Sequence, residues 1–310
     1  MDLQTRPLAL DPARLDGLSE RLVVSHHENN YAGAVKRLGA IRDQLALLDW
    51  AVAPVFVING LKREELVAAN SAWLHELYFE GLGGDGVLPD CGLSIAIERD
   101  FGSVARWRTE FTAMAKAMGG GSGWALLSWS PRDGRLVNHR ADDHAQLLAG
   151  ATPLLALDMY EHAYHLDFGA KAAAYVDAFM RNIRWDVVHR RFGQAVEADG
   201  HPLAADPADA RSAAQLIDVR RAATFVEARD VVAGAVWRDP ARLADWSREL
   251  DAARPILVYC FHGLDIGRSA ALALRARGFD ARFIAGGIEA CRAAGVPIAA
   301  KDAHGEAARS

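Results

Sequence analysis

The sequence predicts two domains: an α+β N-terminal domain (a helical hairpin joined to an α/β unit with a three-stranded antiparallel sheet) and an α/β C-terminal domain with a parallel sheet. Three patterns carry this. Helical periodicity fills two stretches before residue 85, separated by a loop that holds Pro54. Pro131-Arg132-Asp133-Gly134 interrupts two apolar runs as a hairpin turn would. Beyond residue 213, short apolar runs alternate with helical stretches, the mark of parallel strands. At 310 residues and 33.6 kDa there is chain enough for two cores.

In chain order, Leu15, Leu18, Leu22 and His26, then Leu38, Ile41, Leu45 and Leu48, recur at helical spacing over residues 14–48. This is one amphipathic helix or two, with Ser19 in a capping region. A second helix, KREELVAANSAWLHELYFEGLGG, is expected to bury Leu66, Ala69, Trp73 and Leu77 and to stop at its glycines. Together they make an antiparallel hairpin. Residues 85–122 read as helix and loop, with Asp100 and Ser103 as caps. WALLSWS and GRLVNHR supply two strands, TPLLALD the third, and AAAYVDAFMRNIRWDVVHRRF one closing helix, so the first domain spans 1–195. The polar stretch 196–213 reads as a linker. The second domain, 214–310, draws strands from QLIDV, ILVYCF and ARFIAG.

Composition excludes several classes. A hydrophobic share of 51% with 24% charged residues belongs to a globular protein, and no segment approaches the ~20 apolar residues of a membrane span. A net charge of -5 without a basic block argues against nucleic acid as a partner. Cys91, Cys260 and Cys291 are few and widely spaced, and the start of the chain has no secretory pattern. A cytoplasmic protein is expected.

The chemistry concentrates in TPLLALDMYEHAYHLDF. An apolar run ends in Asp158, and His162 follows four residues on, a helical turn that can aim at the same atom. His26, one turn after Leu22, faces the buried side, and His75 sits among Trp73, Leu74 and Phe79. A core-facing histidine must find a hydrogen-bond partner or a metal. Three imidazoles and one carboxylate suit iron or manganese and leave a position for solvent or substrate.

Residues 14–195 resemble the iron/manganese superoxide dismutase family, through LSERLVVSHHENNY, NSAWLHELYF, GGSGWALL, TPLLALDMYEHAYHLDF and NIRWDVVHRRF. The resemblance implies one Fe or Mn ion per chain on His26, His75, Asp158 and His162, with superoxide as substrate. It also implies a homodimer in which Glu161 reaches the ligand histidine of the other subunit. Around the ligands it points to Trp124 and, in the loop before TPLL, to His144 with Asp143 beside it. The chain departs from the family at Asn30 and Ala34, which stand where His and Tyr are usual, at Ser71 for Gln, and at Tyr160 for Trp. Tyr31 is a candidate to refill the Ala34 space, although a helix points it about three-quarters of a turn away.

Residues 214–300 resemble a rhodanese domain, through LIDVRRAATFVEARDVVAGAVW, ILVYCFHGLDIGRSAALALRARGF and FIAGGIEACRAAGVPI. Cys260 ends a strand, and the loop Phe261 to Ser269 is expected to lead into a helix whose N–H groups lower the thiol pKa. The resemblance implies transfer from a sulfane-sulfur donor through a Cys260 persulfide. Phe261 and Asp265 replace basic residues common there, and Asp265 is expected to repel an anion. Cys291 is expected to pack and His262 to be solvated. The alternatives to dismutation are a metal-binding or redox-sensing module with weak turnover, or sulfur transfer as the main activity.

Overall fold

The computed structural model describes residues 4–198 and 203–301. The chain forms two compact units, Met1–Val87 with Arg108–Arg132 and Val137–Val188, and Leu88–Trp107 with Asp133–Leu136 and His189–Ser310.

In the first unit a 3-10 turn, Pro12–Arg14, precedes α1 (Glu20–Ser25), which Ser19 caps by accepting from the Leu22 N–H. The helix widens to π geometry over His26–Tyr31 and resumes as α2 (Ala32–Ala46). After a loop, α3 (Val55–Glu80) returns antiparallel to α2, with Leu38, Ile41 and Leu45 against Ala68 and Ala69. The buried face of α3 differs from the expected one. Leu66 and Trp73 are about half exposed, at 49% and 53%, and the buried stripe is Ala68, Ala72, His75 and Phe79. Apolar residues lie on more than one side of this helix, and the small ones, Ala68 and Ala69, which let α2 approach closely, set the face.

The helices α4 (Gly92–Phe101) and α5 (Val104–Lys116) follow. Ser103 caps α5 through the Arg106 N–H, but Asp100 caps nothing: it lies inside α4 and accepts from Arg99 and from the Leu136 N–H. The strands β1 (Trp124–Ser130), β2 (Arg135–Ala141) and β3 (Thr152–Asp158) make a sheet of order β2-β1-β3, in which Trp124 pairs with Asp158. After β3 come a 3-10 turn, Glu161–Ala163, and α6 (His165–Phe168).

The closing helix is two, α7 (Ala172–Arg181) and α8 (Trp185–Ala198). Asn182 breaks it: its side chain exchanges hydrogen bonds of 2.8–2.9 Å with the Asp16 backbone. Its carbonyl accepts from Gly84 and the Arg184 N–H donates to Gly81, so tertiary bonds replace the helical ones.

In the second unit the stretch read as linker already holds β4 (Ala204–Ala205), parallel to the strand Ala281–Ile284, and a 3-10 turn, Pro207–Ser212, with Ala210 buried. Small alanines suit an edge strand, which the polar composition hid. The remaining elements are β5 (Gln215–Asp218), α9 (Ala222–Glu227), β6 (Asp230–Val232), β7 (Val236–Trp237) and α10 (Leu243–Trp246). They are completed by β8 (Ile256–Tyr259), α11 (Asp265–Arg275), β9 (Ala281–Ile284), α12 (Gly287–Ala293) and β10 (Ile298–Ala300). The five-stranded sheet has the order β4-β9-β8-β5-β7, with parallel pairings, and β6 pairs antiparallel with β10. Its core includes Val258, Ala270, Leu274 and Phe283, and Ile95 of α4 packs into it.

Candidate metal centre

Four elements of the first unit each bring one side chain to a common point. The π segment supplies His26, α3 supplies His75, the end of β3 supplies Asp158, and the following 3-10 turn supplies His162. One ligand atom from each lies within 4.8 Å of all the others. The Asp158–His162 spacing is spanned by an extended Tyr160 and a 3-10 turn, in place of the α-turn that the sequence suggested.

The π segment explains why His26 and Tyr31 are both buried. In an α-helix, residues five apart differ by about 140° in direction, whereas i→i+5 bonding stacks them. Tyr31 nevertheless leaves the Ala34 space unfilled. Its hydroxyl donates to Glu76 Oε1 and accepts from the Arg6 N–H, both at 3.0 Å, and it borders a different hollow, with His27 and Phe79.

Asp158 is fully buried. Its Oδ1 accepts from the Tyr160 N–H at 2.8 Å, which turns Oδ2 towards the histidines. The Nε2 atoms of His26, His162 and His75 lie 3.0, 3.2 and 3.5 Å from that single oxygen. Burial alone would raise the Asp158 pKa, but hydrogen bonds from His162 and His26 override it and hold the carboxyl far below the usual range. Burial lowers His26 and takes His75 down to about 3, against the opposing pull of Asp158. Both rings are therefore neutral near pH 7.

His75 tests whether the group fits a cation. Its Nδ1 lies 2.6 Å from the Ser71 carbonyl, which only an N–H can satisfy. A neutral ring with its proton there carries a lone pair on Nε2. That atom is buried, has no hydrogen-bond partner and faces the Asp158 oxygen. Lone pair against carboxylate is repulsive unless a cation lies between them. The donor set, three imidazole nitrogens and a carboxylate, is one that iron or manganese accepts.

A cavity of about 280 Å³ opens beside His75 and His162, lined also by Asn30, Ala34, Arg37, Ser71 and His144. Trp124 Nε1 donates to His144 Nδ1 at 2.9 Å, so a neutral His144 keeps its proton on Nε2. The rings of His144, Tyr160 and His162 stack in series, at 4.8 and 5.5 Å. Asn70, a buried polar residue in α3 that the sequence reading missed, donates to the His144 carbonyl at 2.6 Å and fixes the loop. Its signal was an asparagine inside an otherwise apolar helical run. Asp143 caps the Ala145 N–H and lies 3.9 Å from Arg63, so only its field reaches His144 and Tyr160. Glu161 is exposed.

In the second unit Cys260 is 5% exposed and borders a pocket of about 160 Å³ with Arg220, Arg221 and His262. α11 begins at Asp265, so the loop after Cys260 is shorter than expected. Burial pushes the Cys260 thiol up, outweighing the N–H groups of Gly267, Leu264 and Gly263, which corrects the lowered pKa inferred from the helix N-terminus. Cys291 is wholly buried in a core cluster, and His262 pairs with Glu289 at 2.8 Å.

Comparison with known proteins finds two family matches. Residues 89–191 match the model for the C-terminal domain of iron/manganese superoxide dismutases, and residues 203–294 that for the rhodanese-like domain. An iron superoxide dismutase of Cupriavidus metallidurans is 67% identical over 193 residues, covering 62% of this chain and 98% of the relative. One of Aquifex pyrophilus is 38% identical over 197 residues, 61% of this chain and 91% of the relative. A manganese superoxide dismutase of Halobacterium salinarum is 34% identical over 196 residues, 62% and 95% of the two chains. The chain belongs to the iron/manganese superoxide dismutase family and carries a rhodanese-like domain after the dismutase segment.

Proposed function

We propose that the protein converts superoxide to oxygen and hydrogen peroxide, using one iron or manganese ion per chain held by His26, His75, Asp158 and His162. The observation that carries this is the buried, unpartnered Nε2 lone pair of His75 aimed at the point where the other three donors meet. The iron named for the Cupriavidus relative favours iron. The bound ion would supply one-electron exchange in both directions and a positive charge for the superoxide anion. The chain's own residues supply access and protons. Ala34 and Asn30 leave the cavity open to solvent, and His144, its Nδ1 engaged by Trp124, keeps a proton on Nε2 for the peroxide product. The test is dismutation by metal-loaded protein beside the His26→Ala variant, with metal content measured. A loaded protein no faster than the free metal ion would refute the reading.

A second activity belongs to the rhodanese-like domain, residues 214–310 in our division, with 1–195 as the dismutase domain. Cys260 lies at the end of β8 with three backbone N–H groups turned to its sulfur, a setting for a persulfide loaded by a sulfane-sulfur donor. Thiocyanate formed from cyanide by the wild type and lost in Cys260→Ala tests it. We also place the protein in the cytoplasm as a homodimer through the dismutase domain, with the exposed Glu161 at the interface. Among the described residues no helix is long and apolar enough to cross a membrane.

A further inference from the structure

Asp265 is the residue that looked most hostile to an anion at Cys260, and it is not a bare charge. It lines the Cys260 pocket, and with Leu264 it also lines a second cavity of about 230 Å³ on the side of His189. It is therefore part of the wall between the two. His189 Nε2 hydrogen-bonds to Asp265 Oδ2, and the same oxygen lies 2.7 Å from where a Cβ on Gly92 would stand. The carboxylate is thus held between His189 and the start of α4. The other charges at the Cys260 pocket are already answered. Arg220 forks onto Asp218, and His262 pairs with Glu289. Among the described residues Arg221 makes no ion pair, and its Nε has no hydrogen-bond partner.

We propose that His189 is a specificity-determining positioning residue of the Cys260 pocket. By engaging the Asp265 carboxylate, it keeps Arg221 out of an ion pair, so that this guanidinium answers Asp265 only through its field, and suits the pocket to a small anion that reacts at the Cys260 sulfur. Nothing in the rhodanese-like match covers His189, which lies outside residues 203–294. The inference rests on the reading of Cys260 as a reactive residue.

The test is competitive alkylation of the full-length protein with iodoacetate, an anion, and iodoacetamide, its neutral counterpart, at fixed alkaline pH. In both reactions sulfur displaces iodide and the thiol proton goes to solvent. Labelling is read at the Cys260 peptide by mass spectrometry, which keeps Cys91 and Cys291 apart. The ratio of the two rates cancels changes in thiolate fraction and access. His189→Ala frees the carboxylate to turn towards the Cys260 pocket, and a unit charge brought closer to the sulfur should lower the iodoacetate-to-iodoacetamide ratio roughly threefold or more. His189→Gln, which keeps a donor, should hold the ratio near wild type. Asp265→Asn added to His189→Ala should restore it. Labelling by both reagents with a ratio that His189→Ala leaves unchanged would overturn the proposal alone. A native Cys260 that neither reagent labels would overturn the reactive-cysteine reading and the proposal with it.

Discussion

Replacing His75 by leucine separates the metal reading from ordinary packing. The two side chains are of similar volume, so the change opens no large cavity. In metal-free protein the wild-type Nε2 is a buried acceptor without a donor, which costs about 1–3 kcal/mol. The substitution removes that cost and loses the Nδ1–H bond to the Ser71 carbonyl, about 1 kcal/mol. His75→Leu should therefore be as stable as wild type without metal, or more stable by up to about 2 kcal/mol. For a domain of this size that is a rise of up to roughly 8 °C in melting temperature. Metal should reverse the order. At a hundredfold excess over Kd, an ion bound only by the folded state adds about 2.7 kcal/mol to the wild type, and the variant should gain little. The assay is thermal unfolding of chelated and metal-loaded protein, with Leu38→Ala as a packing control. That residue is fully buried in the hairpin, and its loss should cost about 2–5 kcal/mol in both states. If chelated His75→Leu falls as far as the control, the lone pair is not the strained group described, and the argument for a cation fails.

Three further outcomes follow from the same geometry. Trp124→Phe removes the donor to His144 and should lower turnover about tenfold or more, with metal content unchanged in the purified protein. Acid should destabilise the metal-free protein, because His75 titrates at about 3 when folded and at 6.5 when unfolded, so the unfolded chain binds the extra proton. Stability is then lost as pH falls below 6.5, by up to about 1.4 kcal/mol per unit from this residue, with His26 acting in the same direction; urea titrations at pH 7 and pH 5 check it. Gly123→Ala would put a Cβ 2.1 Å from the Ala141 carbonyl oxygen at a φ of +127°. It should cost more than 2 kcal/mol in denaturant unfolding, and full stability in that variant would contradict the backbone geometry before β1.

The parts of the fold that sequence carried were those written in local spacing. Ser19 before a helical run, Pro131 to Gly134 between apolar runs, and Asp158 at the end of a strand are short-range signals, and the chain uses them as read. What failed depended on distant partners. One closing helix became two because Asn182 bonds to Asp16, 166 residues away. Trp73 looked buried because its spacing from Leu66, Ala69 and Leu77 makes an apolar stripe, whereas the packed side of α3 is the one with Ala68 against α2. The π segment escaped notice because no residue type announces i→i+5 bonding, and with it went the true direction of Tyr31. Asp265 was read as a bare charge because its partner His189 lies 76 residues before it.

The same distinction bears on the departures from the family pattern. The groups that fix His75 and Asp158 are the Ser71 carbonyl, the Tyr160 N–H and the strand pairing of Trp124 with Asp158. Two of the three are backbone groups and the third is a ladder position, so side-chain replacements at Ser71 and Tyr160 leave them in place. Asn30 and Ala34 line the cavity and hold none of the donors. Substitution at these positions therefore acts on access and on proton supply, while the hold on a metal depends on a framework that those changes do not touch. In that framework His144 gains importance, since with Ala34 it lines a cavity that offers no phenol at that position and retains an N–H fixed by Trp124.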